Sequence, residues 1–267
     1  MSSQLSHVFK RCADENRAAL VGYLTAGDPD ISTSKALMLT LAEQVDIIEI
    51  GMPFSDPAAD GPVIQAASER ALAAGTHIAD VFAIAKEVRQ ARPDIGIVLM
   101  GYANTPYTMG FDAFAKKAVD AGVDAVLLVD IPPEEGGLCD AVFQAHGLER
   151  ILLLSPTSTQ ERIKLISRHA SGFIYYVSLN GITGADMGDM KAIQEQVACI
   201  REHTDLPVCV GFGVKTPEQA ASVAHFADGV VIGSHFVGQI PQYLTQHKMM
   251  KSSMGKVVQA MKAAVIA

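Results

Sequence analysis

The segment Val45-Asp-Ile-Ile-Glu49-Ile-Gly51 runs directly into Met52-Pro-Phe-Ser-Asp-Pro-Ala-Ala-Asp60-Gly-Pro62. Glu49, Ser55, Asp56 and Asp60 put more acid and hydroxyl into that stretch than a simple connection needs. In a strand, Glu49 shares a face with Ile47 and Gly51, while Ile48 and Ile50 share the other. If Ile48 and Ile50 pack against helices, Glu49 points inward. A carboxylate there must be paired, hydrogen-bonded or raised in pKa. Such a group is suited to general acid–base catalysis. The competing readings are a glutamate neutralised by a buried base and, for Asp60 before glycine, a turn residue.

A second constellation is built from glycine. Ile182-Thr-Gly184, Val210-Gly-Phe-Gly213 and Val231-Ile-Gly-Ser234 follow three consecutive apolar segments late in the chain. Glycine lets backbone N–H groups come close to a phosphate, and the Ser234 hydroxyl adds a donor. Gly211 and Gly213 alone could be turn formers. Three such segments together point to a phosphorylated substrate.

These residues need a frame that places strand ends side by side. Short apolar runs predict strands at Ala19–Thr25, Ile47–Gly51, Gly96–Tyr102, Ala125–Asp130, Arg150–Leu154, Phe173–Ser178, Val208–Gly211 and Gly229–Ile232. The intervening segments are long enough for helical crossovers. Ser158-Thr-Gln-Glu161 and Thr216-Pro-Glu-Gln219 read as capped helix starts, the first with Ser158 as the cap. Apolar residues at 111, 114, 115 and 118 form the stripe of a helix lying on a sheet. Eight alternations predict an α/β fold, one (β/α)8 TIM barrel over residues 1–267; an open doubly wound sheet is the alternative. Ser3 to Glu15 reads as an extra N-terminal helix covering the barrel bottom. In such barrels chemistry sits at the C-terminal ends of the strands.

Composition narrows the function. The 267 residues are 49% hydrophobic with net charge -8 and no basic run, which argues against nucleic acid. No apolar stretch reaches the ~20 residues of a membrane span, and Ser2 to Asn16 does not resemble a signal peptide. A cytoplasmic location is therefore expected. Cys12, Cys139, Cys199 and Cys209 form no C-x-x-C pair, and no metal site is expected among the cysteines and histidines. There is no G-x-S-x-G elbow. Lys86, Lys116, Lys117 and Lys164 fall in predicted helices, away from strand ends, so a Schiff base is not expected. A carbon–carbon lyase working here would use carboxylates.

With these motifs in view, the chain resembles the tryptophan synthase α-subunit family. The resemblance rests on Gly22-Tyr-Leu-Thr-Ala-Gly-Asp-Pro29, the Glu49–Pro62 stretch, Met100-Gly-Tyr-Ala-Asn104 and Val129-Asp-Ile-Pro-Pro133. Leu154-Ser-Pro-Thr157, Gly181-Ile-Thr-Gly184 and Gly211-Phe-Gly-Val214 continue it. It implies that Glu49 and Asp60 are the catalytic carboxylates and that Tyr175 stands beside the reacting centre. It implies phosphate binding at Gly184, Gly213, Gly233 and Ser234, with active-site contacts at Tyr102 and Phe212. Ile64 and Leu127 fit the walls of an indole pocket. The implied reaction is retro-aldol cleavage of indole-3-glycerol phosphate to indole and glyceraldehyde 3-phosphate.

The resemblance further implies a β subunit that receives the indole, in a heterotetramer of two α and two β subunits. No cofactor is expected in this chain; pyridoxal phosphate belongs to the partner. Asp56, Pro57, Asn104 and Pro132 lie in loops suited to that contact. Residues 179–189 are expected to form a lid, with Thr183 latching onto Asp60. One departure is Leu179, where many family members carry arginine. The alternatives are a standalone indole-3-glycerol phosphate lyase, a non-catalytic regulatory subunit, and another phosphate-sugar barrel such as an isomerase or flavin enzyme.

Overall fold

The computed structural model describes residues 3–177, 187–211 and 213–266. Its strands are β1 (Ala19–Thr25), β2 (Ile47–Gly51), β3 (Gly96–Gly101), β4 (Ala125–Leu128), β5 (Glu149–Arg150), β6 (Leu152–Leu154), β7 (Ile174–Val177), β8 (Val208–Gly211) and β9 (Gly229–Ile232). The sheet order is β5-β4-β3-β2-β1-β9-β8-β7-β6, with every pairing parallel. Only Ile151 separates β5 from β6. This segment pairs with β4 through its first half and with β7 through its second. Ile151 N donates to Val126 O at 3.0 Å, and Ser171 N donates to Arg150 O at 2.8 Å, so the interrupted strand closes the sheet into a barrel. The open-sheet alternative is thereby excluded. Several strands are shorter than expected: β3 ends at Gly101 and β4 at Leu128, and β7 starts at Ile174, one residue late.

Strand alternation sorts the apolar residues into two layers. Ala19, Val21, Ile47, Val98, Leu127, Phe173, Cys209 and Val231 fill the barrel interior. Leu20, Ile48, Ile50, Leu99, Val126 and Val210 pack outward against the helices. The helix Gln4–Asp14 sends Leu5, Val8, Phe9 and Cys12 into the interior cluster and so plugs the barrel bottom. This is the role expected of an amphipathic segment whose apolar residues recur at helical spacing.

The bottom is also tied electrostatically. Asp46, Asp124 and Asp228 each directly precede a strand or lie one residue before it, and each accepts a backbone N–H from the preceding strand of the ring. The donors are Leu20 at 2.9 Å, Ile97 at 2.7 Å and Val208 at 2.8 Å. Arginine pairs with each acid: Arg17 with Asp46 at 2.8 Å, Arg89 with Asp124 at 2.6 Å and Arg201 with Asp228 at 2.9 Å. The device recurs because every strand start leaves donors that the parallel ladder does not use.

Helix starts follow local chemistry. Thr216 caps the helix Pro217–Ala224 with a reciprocal Gln219 contact, as its sequence predicts. In the helix Gln160–His169 the cap is Thr159, which accepts from Arg162 N at 3.3 Å, and not Ser158. Ser158 instead accepts from Ser155 N at 3.0 Å, closing the preceding turn. The stripe in the helix Phe111–Asp120 buries Phe114, Ala115 and Ala118. No helix among the described residues is long and apolar enough to cross a membrane.

Candidate active site

Glu49 occupies the inward face of β2, as its parity with Ile47 requires, and is 1% exposed. Its Oε1 has no hydrogen-bond partner among the described residues. The side chain lines a cavity of about 500 Å³ at the C-terminal ends of the strands. Burial, followed by the nearby charge of Asp60, pushes its carboxyl up to about 8. No basic side chain pairs with it among the described residues, so the packing interpretation loses its main support.

Asp60 reaches the same cavity from the loop after β2. Its Oδ2 accepts from the Tyr102 hydroxyl at 2.8 Å, and that hydroxyl accepts from Ala59 N at 3.0 Å. Tyr102 stacks on Phe54 with centroids 5.1 Å apart, so an aromatic pair holds the loop against the end of β3. Burial raises the Asp60 pKa above the ordinary carboxylate range, and the Tyr102 hydrogen bond opposes that rise. The two acids thus share a partly dry site with unequal support.

Two tyrosines stand over the interior. Tyr23 on β1 and Tyr175 on β7 both line the cavity and are 7% exposed. A methyl group on Gly51 would lie 2.1 Å from the Tyr23 hydroxyl, and one on Gly211 would lie 2.7 Å from the Tyr175 hydroxyl. Each glycine pairs with the residue two positions after the tyrosine on the adjacent strand. Gly211 therefore makes room for Tyr175, a packing reason distinct from phosphate approach. Burial holds both hydroxyls protonated, so they can donate hydrogen bonds but are poor bases.

The β8–β9 side of the cavity is lined by Gly213, Val214 and Lys215 after β8 and by Gly233, Ser234 and His235 after β9. Gly213 has φ +83°, a conformation that L side chains rarely adopt. Ile64, on the helix Pro62–Ala73, forms part of the wall. Leu127 does not: it is fully buried in the interior cluster, because its strand position lies deeper than the cavity floor. Met100 and Val231, inward-facing on β3 and β9, line the cavity instead. Thr183, Gly184 and Phe212 lie outside the described residues, as does most of the expected lid. Its last residues belong to the helix Met187–Arg201, which begins earlier than the expected loop end.

Sequence reasoning missed Tyr23, Met100, Lys215 and His235. The first two share strand parity with residues already singled out, and the last two follow Gly213 and Ser234 closely in sequence. It also missed Cys199, Glu202 and His203, whose potential ligand atoms lie within 4.8 Å of one another. They meet where the helix Met187–Arg201 ends, Cys199 from its last turn and Glu202 and His203 from the residues just after it, a relation that a search for C-x-x-C and paired histidines passes over. None of the three lines the catalytic cavity.

Two carboxylates with raised pKa values, a polar β8–β9 side and a fold whose strands converge on them form one coherent site. The comparisons with known proteins agree with that geometry. The profile described as "Tryptophan synthase alpha chain" matches residues 9–266. The tryptophan synthase alpha chain of Marinobacter nauticus is 46% identical over 264 residues, spanning 98% of both chains. That of Geobacter sulfurreducens is 50% identical over 236 residues, covering 88% of this chain and 89% of its own. Tryptophan synthase subunit alpha from Legionella pneumophila superposes with a TM-score of 0.91 at 38% identity, covering 99% of each chain. A match that runs from the helix at the barrel bottom through the loops at its mouth leaves no major element unaccounted for, and this chain belongs to the tryptophan synthase alpha chain family.

Proposed function

We propose that Glu49 and Asp60 carry out the lyase reaction of this family, the retro-aldol cleavage of indole-3-glycerol phosphate to indole and glyceraldehyde 3-phosphate. The observation that carries this assignment is the buried, unpartnered Glu49 oxygen beside Asp60 in one cavity. A glutamic acid held neutral near pH 7 is a competent proton donor. Glu49 protonates indole C3, and positive charge develops on the ring nitrogen. Asp60, ionised and oriented by Tyr102, accepts a hydrogen bond from the indole N–H and stabilises that charge. Glu49, now a carboxylate, takes the proton from the hydroxyl on the carbon attached to the ring. The new C=O forms as the C–C bond breaks, and the bonding pair returns to the indole. Glu49 ends protonated, ready for another cycle.

The ring itself is the electron sink, so the cleavage requires no cofactor in this subunit; pyridoxal phosphate belongs to the β subunit. Gly184, Gly213, Gly233 and Ser234 bind the phosphate, and Phe212, Tyr175 and Ile64 face the indole. Thr183 is the proposed latch on Asp60. As an alpha chain the protein has a β-subunit partner, and we assign the strand-end loops to that contact. Asp56, Asn104 and Pro132 are exposed there. Tyr107 and Leu138, 69% and 50% exposed on the neighbouring turns, supply apolar surface for such a contact. Indole is apolar and membrane-permeant, a physical reason to pass it directly into the partner in a cytoplasmic two-subunit enzyme.

Indole release from indole-3-glycerol phosphate, measured with and without a β subunit, tests this reading. Glu49→Gln and Asp60→Asn should each lose at least about a hundredfold in kcat, the usual scale of a proton-transfer or charge-stabilising group, while still binding substrate. A Glu49→Gln protein retaining a tenth of the rate would refute the acid–base role. Full turnover by the isolated chain, unaffected by a β subunit, would favour a standalone lyase.

A further inference from the structure

The cavity is electrically lopsided. Glu49 and Asp60 line it from β2 and the loop that follows; Lys215 and His235 are the basic side chains among its described lining residues and come from the turns after the adjacent strands β8 and β9. Lys215 follows β8 and is exposed, while His235 follows β9 and is half-buried. Neither forms an ion pair among the described residues, although most arginines of this chain do. Lys215 is held at its backbone, where its N–H donates to Gln219 Oε1 at 2.8 Å in the capping turn, so its side chain starts from a fixed point. Burial and then the charge of Lys215 both lower the His235 pKa, so the imidazole is mainly neutral at pH 7 until an anion arrives beside it. A lysine and a histidine that line one cavity without an ion-pair partner among the described residues form a site whose missing member is an anion.

We propose that Lys215 and His235 form a clamp that selects the doubly charged phosphate of the substrate, with Lys215 as the standing cation and His235 taking up a proton from solvent as the dianion binds. The inference rests on the assignment of the phosphate to this side of the cavity and adds side-chain charge to the backbone donors and Ser234. A protein of net charge -8 with two acids in its catalytic cavity repels a dianion at long range. The Lys215 ammonium opposes that field locally and, with His235, orients the substrate with its phosphate away from Glu49 and Asp60. The clamp touches only the non-reacting group, so it contributes equally to ground and transition states and acts on KM.

The test compares Lys215→Met, His235→Gln and the double variant with Ser234→Ala. Inorganic phosphate, glycerol 3-phosphate and the uncharged 3-(3-hydroxypropyl)indole serve as competitive inhibitors. Each single variant should raise KM and the Ki values of both phosphates about three- to tenfold, the modest scale of partly solvated charges. The double variant should lose more, and kcat and the Ki of the uncharged indole should stay unchanged. Lys215→Arg should restore phosphate affinity, and added salt should weaken phosphate binding by wild type more than by the double variant. If phosphate competes with wild type and Ser234→Ala weakens it while the Lys215 and His235 variants bind phosphate normally, the clamp is overturned and the phosphate assignment stands. A loss of affinity for the uncharged indole equal to that for phosphate also overturns it, because the residues would then be merely structural. If phosphate fails to compete even with wild type, the phosphate assignment itself falls, and the clamp with it.

Discussion

Asp46 and Glu49 lie one before and one within the same short strand, and they are equally removed from water at 3% and 1% exposure. Their acidities move in opposite directions. Asp46 sits at the barrel bottom, where Arg17, Lys262 and the Leu20 N–H all donate to it at 2.6 to 2.9 Å. Burial would raise its pKa, but those partners outweigh it and hold the carboxyl down at about 2. Glu49 points into the mouth with an oxygen left unpartnered, and burial together with Asp60 pushes it up to about 8. Burial alone therefore decides nothing about a carboxylate. What differs is whether the fold supplies counter-charges, and this fold supplies them at the end that holds the barrel together and withholds them at the end that reacts.

The largest test of this contrast is a pair of amide substitutions followed by thermal unfolding across pH. Asp46→Asn leaves Arg17 and Lys262 without their anion, and breaking such a buried set should cost about 3 kcal/mol at neutral pH. The folded pKa of Asp46 lies below its unfolded value, so its contribution is present above pH 3.8 and fades as pH falls toward about 2. The deficit of the variant should shrink over that window. Glu49 behaves with the opposite sign. The native protein holds its proton more tightly than the unfolded chain between 4.5 and about 8, so wild-type stability falls as pH rises through that interval. Glu49→Gln should match wild type near pH 4 and exceed it by up to about 5 kcal/mol above pH 8. A Glu49→Gln protein less stable than wild type at pH 9 would show that the carboxylate is satisfied after all.

The rate profile sharpens the same contrast at the site. Because the proposed cycle starts from protonated Glu49, kcat/KM should fall tenfold per pH unit above about 8. Asp60 must be ionised, so the acidic limb should lie above the ordinary carboxylate range. A profile still flat at pH 9.5 would remove Glu49 as the initial acid. A smaller effect is expected at Tyr102. Tyr102→Phe deletes the side-chain hydrogen bond that supports ionised Asp60 among the described residues and frees Ala59 N. It should lower kcat/KM roughly tenfold, the scale of one hydrogen bond to a charged group, and move the acidic limb to higher pH. An unshifted limb would mean that Tyr102 only positions the loop.

Much of this arrangement was legible because it obeys local rules. The period-two alternation of β2 placed Glu49 inward once Ile48 and Ile50 were read as helix-facing. Thr216, Pro217 and Gln219 announced a helix start through groups within one turn of each other. Where local rules offered two solutions, the reading slipped by a residue, as at Ser158 and Thr159, both hydroxyls able to cap. Leu127 shows a different failure. Parity correctly put it inside the barrel, but parity has no depth, and depth separates a core leucine from a substrate wall. The room that Gly51 and Gly211 leave for Tyr23 and Tyr175 was hidden for a related reason, since the tyrosine and glycine of each pair sit on different strands.

By itself, then, the sequence determined the alternation of strands and helices, the faces along each strand, the acidic loop from Glu49 to Asp60 and the glycine-rich turns late in the chain. These depend on neighbours a few residues apart, where backbone geometry leaves few choices. The tertiary structure alone decided the closure of the barrel at Ile151, the depth of each inward side chain and the opposite fates of Asp46 and Glu49. Those depend on groups that folding brings together from afar: Lys262 reaches Asp46 from 216 positions away. A pKa inside a protein is set by which charges and donors lie within a few ångströms, and that list does not exist until the chain has folded.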